Sequence, residues 1–138
     1  MAGGSEPVPT PETAPFWEGT RAGQLRIQHC NNCGRYYFYP RPFCRYCQSR
    51  DVEWRQVSGG GRLVSYVINY RPVPPAAPDE PQVIALVELD EGPRMLTNIV
   101  GTEPVPENLP LDARVSVAFE QRGEQSLPVF RIDQEVAA

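Results

Sequence analysis

The chain has 138 residues, 13 basic and 17 acidic side chains and a formal charge of −4, the size of one ordinary domain or two very small ones. Every basic residue is Arg and there is one histidine, His29; this excludes Schiff-base chemistry and a phosphate-cradling lysine, and leaves no material for a His-rich metal site. No apolar run approaches the roughly 18 residues of a membrane span, and the start MAGGSEPVPTPET lacks the basic and apolar stretches of a secretory signal, so a cytoplasmic location with no membrane contact is expected.

Residues 1–13 are polar and proline-rich and are expected to be disordered. Pro15 suits the first turn of a short helix predicted over Ala14 to Ala22, and Gly23 suits the left-handed residue after it. Phe16 and Trp17 are its large apolar side chains. A helix of about nine residues is not stable alone in water, so these two must bury against the barrel of this protein or against a partner. Leu25 to His29 alternates apolar and polar and runs into Cys30 as a strand. An aromatic run, Tyr36 to Tyr39, separates two cysteine pairs, and Val52, Trp54 and Val57 read as the strand that leaves the unit. Ser58 to Gly61 is predicted as a turn.

The remainder reads as β-structure. Strands are predicted at Leu63 to Tyr70, Gln82 to Leu89, Arg94 to Val100, Leu111 to Glu120 and Leu127 to Ile132, with a proline-rich loop at Arg71 to Pro81. Five short alternating strands fit a closed five-stranded barrel of the OB type better than a sandwich. The predicted architecture is mainly β: a short N-terminal helix and four-cysteine zinc ribbon over residues 14–57, the barrel over 58–133, and a tail at 134–138.

Cys30-x2-Cys33 and Cys44-x2-Cys47 lie ten residues apart. Each C-x2-C turn brings two sulfurs to one point, and two such turns complete a tetrahedron around a metal. Two disulfides would suit a secreted domain, and a thioredoxin-type redox site has one such pair rather than two. Zinc is the expected ion, with rubredoxin-type iron the alternative. Four thiolates leave no open coordination position, so one structural zinc is expected, stapling a module too small for its own core.

Charge is segregated. Residues 21–55 carry seven Arg against Asp51 and Glu53, whereas residues 56–138 carry six Arg against twelve acids. A basic ribbon on an acidic barrel can meet an anionic ligand or an acidic partner. No paired acid/base motif stands out from solvated carboxylates, so no catalytic residue is expected.

Several motifs occur in a familiar order: Phe16-Trp17-Glu18-Gly19, Gly23-x-Leu25, the four cysteines, Tyr36-x-Phe38-x-Pro40-Arg41, Trp54, and Ser58-Gly59-x-Gly61-x-Leu63-x-Ser65-Tyr66. Val83-x-Ala85 to Gly92 and Leu127-Pro128-Val129-Phe130 follow. In these, over about residues 14–133, the chain resembles the zinc-ribbon/OB-fold family of acyl-CoA-associated proteins once filed as a domain of unknown function. Within that family it looks most like the domain of bacterial steroid side-chain hydratase subunits. The resemblance implies a non-catalytic accessory protein that joins a thiolase-fold acyl-CoA enzyme in a hetero-oligomer and helps complete its acyl-CoA site. The implied partner is a thiolase-like aldolase that cleaves a steroid side-chain acyl-CoA. The hydratase part is expected to be missing here.

The competing reading is a single-stranded nucleic-acid binder, which OB folds and ribbons both allow. An acidic barrel and a pI near 5.0 oppose it, because such a groove needs positive charge. The candidate partner-binding residues are Phe16 and Trp17 on the helix, the aromatics Tyr36, Tyr37 and Tyr39, and the arginines Arg35, Arg41 and Arg45. Aromatics and Arg are the side chains that dominate interface energetics. The proline-rich loop is expected to extend this face.

Overall fold

The computed structural model describes residues 7–71 and 80–133. The C-terminal tail, residues 1–6 of the expected disordered N-terminus and residues 72–79 of the proline-rich loop therefore lie outside the described residues. Helix α1 (Ala14–Arg21) follows a turn in which the Thr13 and Ala14 backbone N–H groups donate to the Thr10 carbonyl at 3.0 and 2.8 Å. It stops where Gly23, at φ +74°, and Gln24 turn their N–H groups back onto Thr20 and Gly19. This is the closure that satisfies the last carbonyls of a helix.

The ribbon is a three-stranded antiparallel sheet in the order β2–β1–β3, with β1 at Arg26–Cys30, β2 at Tyr36–Tyr37 and β3 at Val52–Gln56. The remaining strands are β4 (Gly60–Asn69), β5 (Gln82–Leu89), β6 (Arg94–Ile99), β7 (Arg114–Arg122) and β8 (Gln125–Ile132). They form a closed barrel in the order β4–β5–β6–β8–β7, with β7 returning to β4. The fold is mainly β, as the alternation predicts.

Side chains on β5 alternate as strand geometry requires. Val83, Ala85, Val87 and Leu89 point inward, opposite Ile99, Thr97 and Met95 of β6, while Ile84 faces out. Phe130, Leu63 and Val115 fill the rest of the interior. Phe16, Leu25, Ile27, Phe38 and Val57, from the helix and ribbon side, belong to the same continuous core. The ribbon and barrel are thus packed together through apolar surface.

Three barrel strands begin elsewhere than predicted; β8 starts two residues early, at Gln125. β4 starts at Gly60, inside the predicted turn. Gly61 pairs with Leu89 on one side and Val115 on the other, so this end of β4 closes the barrel. A Cβ at Gly61 would lie 2.4 Å from the Glu88 carbonyl oxygen, so the missing side chain is what lets the strands meet. β7 starts at Arg114 because Leu111 and Asp112 turn first, Asp112 at φ +66°.

Candidate metal centre and the groove beside it

Cys30 ends β1, and Cys33 follows it on a tight turn. The second pair repeats the first with an offset of fourteen residues. Cys30 N–H donates to the Arg35 carbonyl and Gly34 N–H to the Cys30 carbonyl; correspondingly, Cys44 N–H donates to Ser49 and Gln48 N–H to Cys44, all at 2.8–2.9 Å. Gly34 and Gln48 both adopt positive φ, +77° and +65°. The second knuckle thus forces a residue with a Cβ into the left-handed region, where only glycine is unstrained.

These turns bring the four sulfurs within 4.8 Å of one another. The Cys30–Cys47 and Cys33–Cys44 sulfur pairs are each 3.6 Å apart. Four metal–sulfur bonds of about 2.3 Å make a tetrahedron with edges of about 3.8 Å, whereas a disulfide is about 2.05 Å long. The donor set therefore fits one tetrahedral metal. Backbone N–H groups of Cys33 and Tyr46 reach the sulfurs of Cys30 and Cys44 at 3.4 and 3.3 Å, and the Asn32 side-chain amide reaches Cys47 at 3.5 Å.

Electrostatics favour a cation here. The Asn32 amide, with the Ser49 backbone N–H second, holds the Cys47 thiol down to about 6. Cys33 is pushed up to about 11: the Arg35 backbone works to lower it, but burial and the adjacent sulfurs outweigh that. Sulfurs this close resist ionising together, and a divalent ion removes that resistance.

The segment between the knuckles is pinned from below. The Gln28 side chain, almost fully buried, donates to the Arg41 carbonyl at 2.8 Å and accepts the Arg41 N–H at 2.7 Å. The Tyr37 hydroxyl also donates to the Arg41 carbonyl, at 3.2 Å. Sequence reasoning missed Gln28 and Asn32. Gln28 shares the polar positions of the Leu25 to His29 alternation with Arg26, so its burial, which breaks that alternation, carried no signal in the sequence.

The eight residues proposed from sequence as partner-facing divide by depth. Phe16 and Tyr37 are interior, at 5% and 1% exposure, Trp17 and Tyr36 are half-buried, and Tyr39 is exposed. Arg35 and Arg45 are exposed and stand over the Tyr46 ring at 4.7 and 5.3 Å, an arrangement that orients guanidinium groups without neutralising them. Arg35, Arg41, Arg45 and Arg50 make no ion pair among the described residues, whereas Arg62, Arg94, Arg114 and Arg122 of the barrel all do. These four arginines are therefore uncompensated, while Arg55 of β3 pairs with Glu53.

Where helix, ribbon and barrel converge lies an open, mostly apolar groove of about 510 Å³. Its walls include Trp17 of α1, Tyr39 of the ribbon, Leu96 of β6 and Leu127 and Pro128 of β8. Exposed Leu96, Val67 and Ile84 continue the apolar surface onto the outside of the barrel. His29 lies apart from the groove lining, 3.3 Å from the Asn31 side-chain oxygen and edge-on to Tyr36. Among the described residues no helix is long and apolar enough to cross a membrane.

Comparison with known proteins follows the same division. Residues 17–53 match the domain family described as the ChsH2 rubredoxin-like zinc ribbon, and residues 54–120 match that described as the ChsH2 C-terminal OB-fold domain. The chain is 38% identical over 98 residues to the 3-oxo-4,17-pregnadiene-20-carboxyl-CoA hydratase alpha subunit of Mycobacterium tuberculosis, covering 71% of this chain but 31% of that subunit. It is 31% identical over 97 residues to a DUF35 domain-containing scaffold protein of Methanothermobacter thermautotrophicus, covering 70% of this chain and 71% of the relative. A solved structure titled Ltp2-ChsH2(DUF35) aldolase superposes with a TM-score of 0.81 at 34% identity, covering 92% of this chain and 98% of the matched chain.

Proposed function

Because the chain belongs to the ChsH2/DUF35 family of zinc-ribbon and OB-fold proteins, we propose that it is a non-catalytic accessory subunit or domain that binds a thiolase-fold acyl-CoA enzyme and helps complete its acyl-CoA site. The proposed partner is an aldolase that cleaves a steroid side-chain acyl-CoA by a retro-aldol reaction. The observation that carries this reading is the likeness, over nearly the whole chain, to the protein solved as part of an aldolase assembly. The hydratase relative, named for a steroid acyl-CoA, supports the substrate class. That subunit is about three times longer than the stretch it shares with this chain, so its own activity is not carried over.

Cys30, Cys33, Cys44 and Cys47 are proposed to hold one structural zinc. The ion would supply cross-linking of the two knuckles and no reaction chemistry. Four thiols kept for a metal suit a reducing compartment, and a cytoplasmic location is part of the proposal. Residues 14–57 and 58–133 are proposed as the ribbon and barrel units. Trp17, Tyr36, Tyr39, Arg35, Arg41 and Arg45 are proposed to meet the partner, with Phe16 and Tyr37 holding that surface from inside. The uncompensated arginines suit acidic side chains or the phosphates of CoA at such an interface.

Co-expression with a steroid-cleaving thiolase-fold aldolase tests the reading. The two chains should elute as one complex, and cleavage of the steroid acyl-CoA should need both. An aldolase that runs at full rate alone and does not co-elute with this chain refutes it.

A further inference from the structure

The ladder between β6 and β8 is cut short. These strands run parallel and share one bridge, Ile99 with Phe130, with the Val100 N–H donating to the Phe130 carbonyl at 2.9 Å. Two residues earlier on β8 stands Pro128, which has no N–H to extend a ladder. Its carbonyl is taken by the Thr97 hydroxyl at 3.1 Å. β6 therefore has a paired side, toward β5, and toward β8 a side that is open along its first residues.

Leu96 lies on that open side. It sits opposite Leu86 of β5, yet its backbone N–H turns away from β5 and donates to the Tyr39 hydroxyl at 3.2 Å. Alternate residues of a paired strand direct their backbone groups to opposite sides. Tyr39 is itself exposed, at 52%. A side-chain oxygen thus occupies the place that the carbonyl of an added strand would take. The apolar groove runs alongside, between this edge and Trp17, Leu127 and Pro128.

An apolar groove alone would suit many occupants. An open backbone edge beside it selects an extended polypeptide: main-chain hydrogen bonds supply the pairing and alternate side chains fill the groove. We infer that the β6 edge at Leu96 accepts an extended segment of the partner protein as an added strand, with the Tyr39 hydroxyl as the placeholder it displaces. This rests on the proposed accessory role and names the surface that serves it. The segment's chemistry follows from the site: apolar at every second residue, to enter the groove. An acidic flank would face the unpaired arginines of the ribbon.

The test uses this chain and the thiolase-fold aldolase as the probe. Leu96→Pro removes the outward N–H and leaves the bonds to β5 in place. It should keep the wild-type melting temperature within a few degrees and bind the aldolase at least tenfold more weakly. Tyr39→Phe should speed exchange of the Leu96 amide in the free chain. In the wild-type complex, exchange at Leu96 should slow. Unchanged binding by Leu96→Pro, or unchanged Leu96 exchange on complex formation, overturns the inference while leaving the accessory role standing. If Leu96→Pro fails to fold, the exchange measurement on wild type decides. A concentration-dependent dimer of the free chain that protects Leu96 would make a second copy the occupant and overturn it too. If wild type does not bind the aldolase at all, the proposed partnership fails and this inference fails with it.

Discussion

The Gln28 side-chain amide brackets the backbone of Arg41, donating to its carbonyl and accepting its N–H across thirteen residues of sequence. A buried amide thereby does for the segment between the knuckles what a neighbouring strand would do. Gln28→Leu should leave both Arg41 backbone groups without these partners and lower stability by about 2 kcal/mol. Denaturant unfolding checks this; a loss under about 0.5 kcal/mol contradicts the bracket.

Zinc should be present at one ion per chain in protein made in a reducing cytosol. Cys44→Ser should lose it. Because Ile27, Leu25 and Phe38 share a core with the barrel, loss of the metal should loosen the barrel's capped end as well as the ribbon. Elemental analysis and amide exchange at β1 and β8 read both effects. Protein free of metal, with unchanged exchange in the ribbon, contradicts this.

Phe16 and Trp17 are neighbours in the chain, with ring centroids 4.9 Å apart, yet they should respond differently to truncation. Phe16→Ala opens a cavity in the shared core and should cost the free chain about 3–5 kcal/mol. Trp17→Ala should change the melting temperature less and should weaken partner binding by about 2 kcal/mol, a hot-spot loss. A Trp17→Ala chain that binds normally removes Trp17 from the proposed interface.

Gly61→Ala places a methyl group 2.4 Å from the Glu88 carbonyl, where backbone must move to admit it. The expected cost is about 1–3 kcal/mol, the scale of overpacking, seen as a lower denaturation midpoint with unchanged secondary structure by circular dichroism. A neutral substitution means that β4 does not close the barrel in this way.

Acid should weaken one seam in a defined direction. Hydrogen bonds from Arg114, at 2.7 and 2.9 Å, hold the Asp90 carboxyl below its ordinary value. A depressed carboxyl contributes stability that is present above its unfolded value of about 3.9 and is lost as pH falls through the lower folded value. The pair is substantially exposed, so its contribution is small. Asp90→Asn should be slightly less stable than wild type at pH 6, and the two melting temperatures should converge as pH falls below about 3. Curves that stay parallel show the pair to be without effect.

Much of this protein was legible without coordinates. The knuckle spacing announces the four-sulfur site because both sulfurs of a pair come from one tight turn, and local geometry needs only local sequence. The alternation from Val83 to Leu89 identifies the inward face of β5 for the same reason. The tertiary structure alone decided which strands meet. Gly60 and Gly61 read as a turn and became the seam of the barrel, because the reason for glycine at 61 is the Glu88 carbonyl, distant in sequence. It also decided depth. Tyr37 and Tyr39 belong to the same aromatic run, but Tyr37 is enclosed near Cys30 and Cys44 while Tyr39 reaches across to Leu96. Period-two alternation would put Tyr37 and Tyr39 on one face, but β2 ends at Tyr37, and the depth of each is set by contacts far apart along the chain.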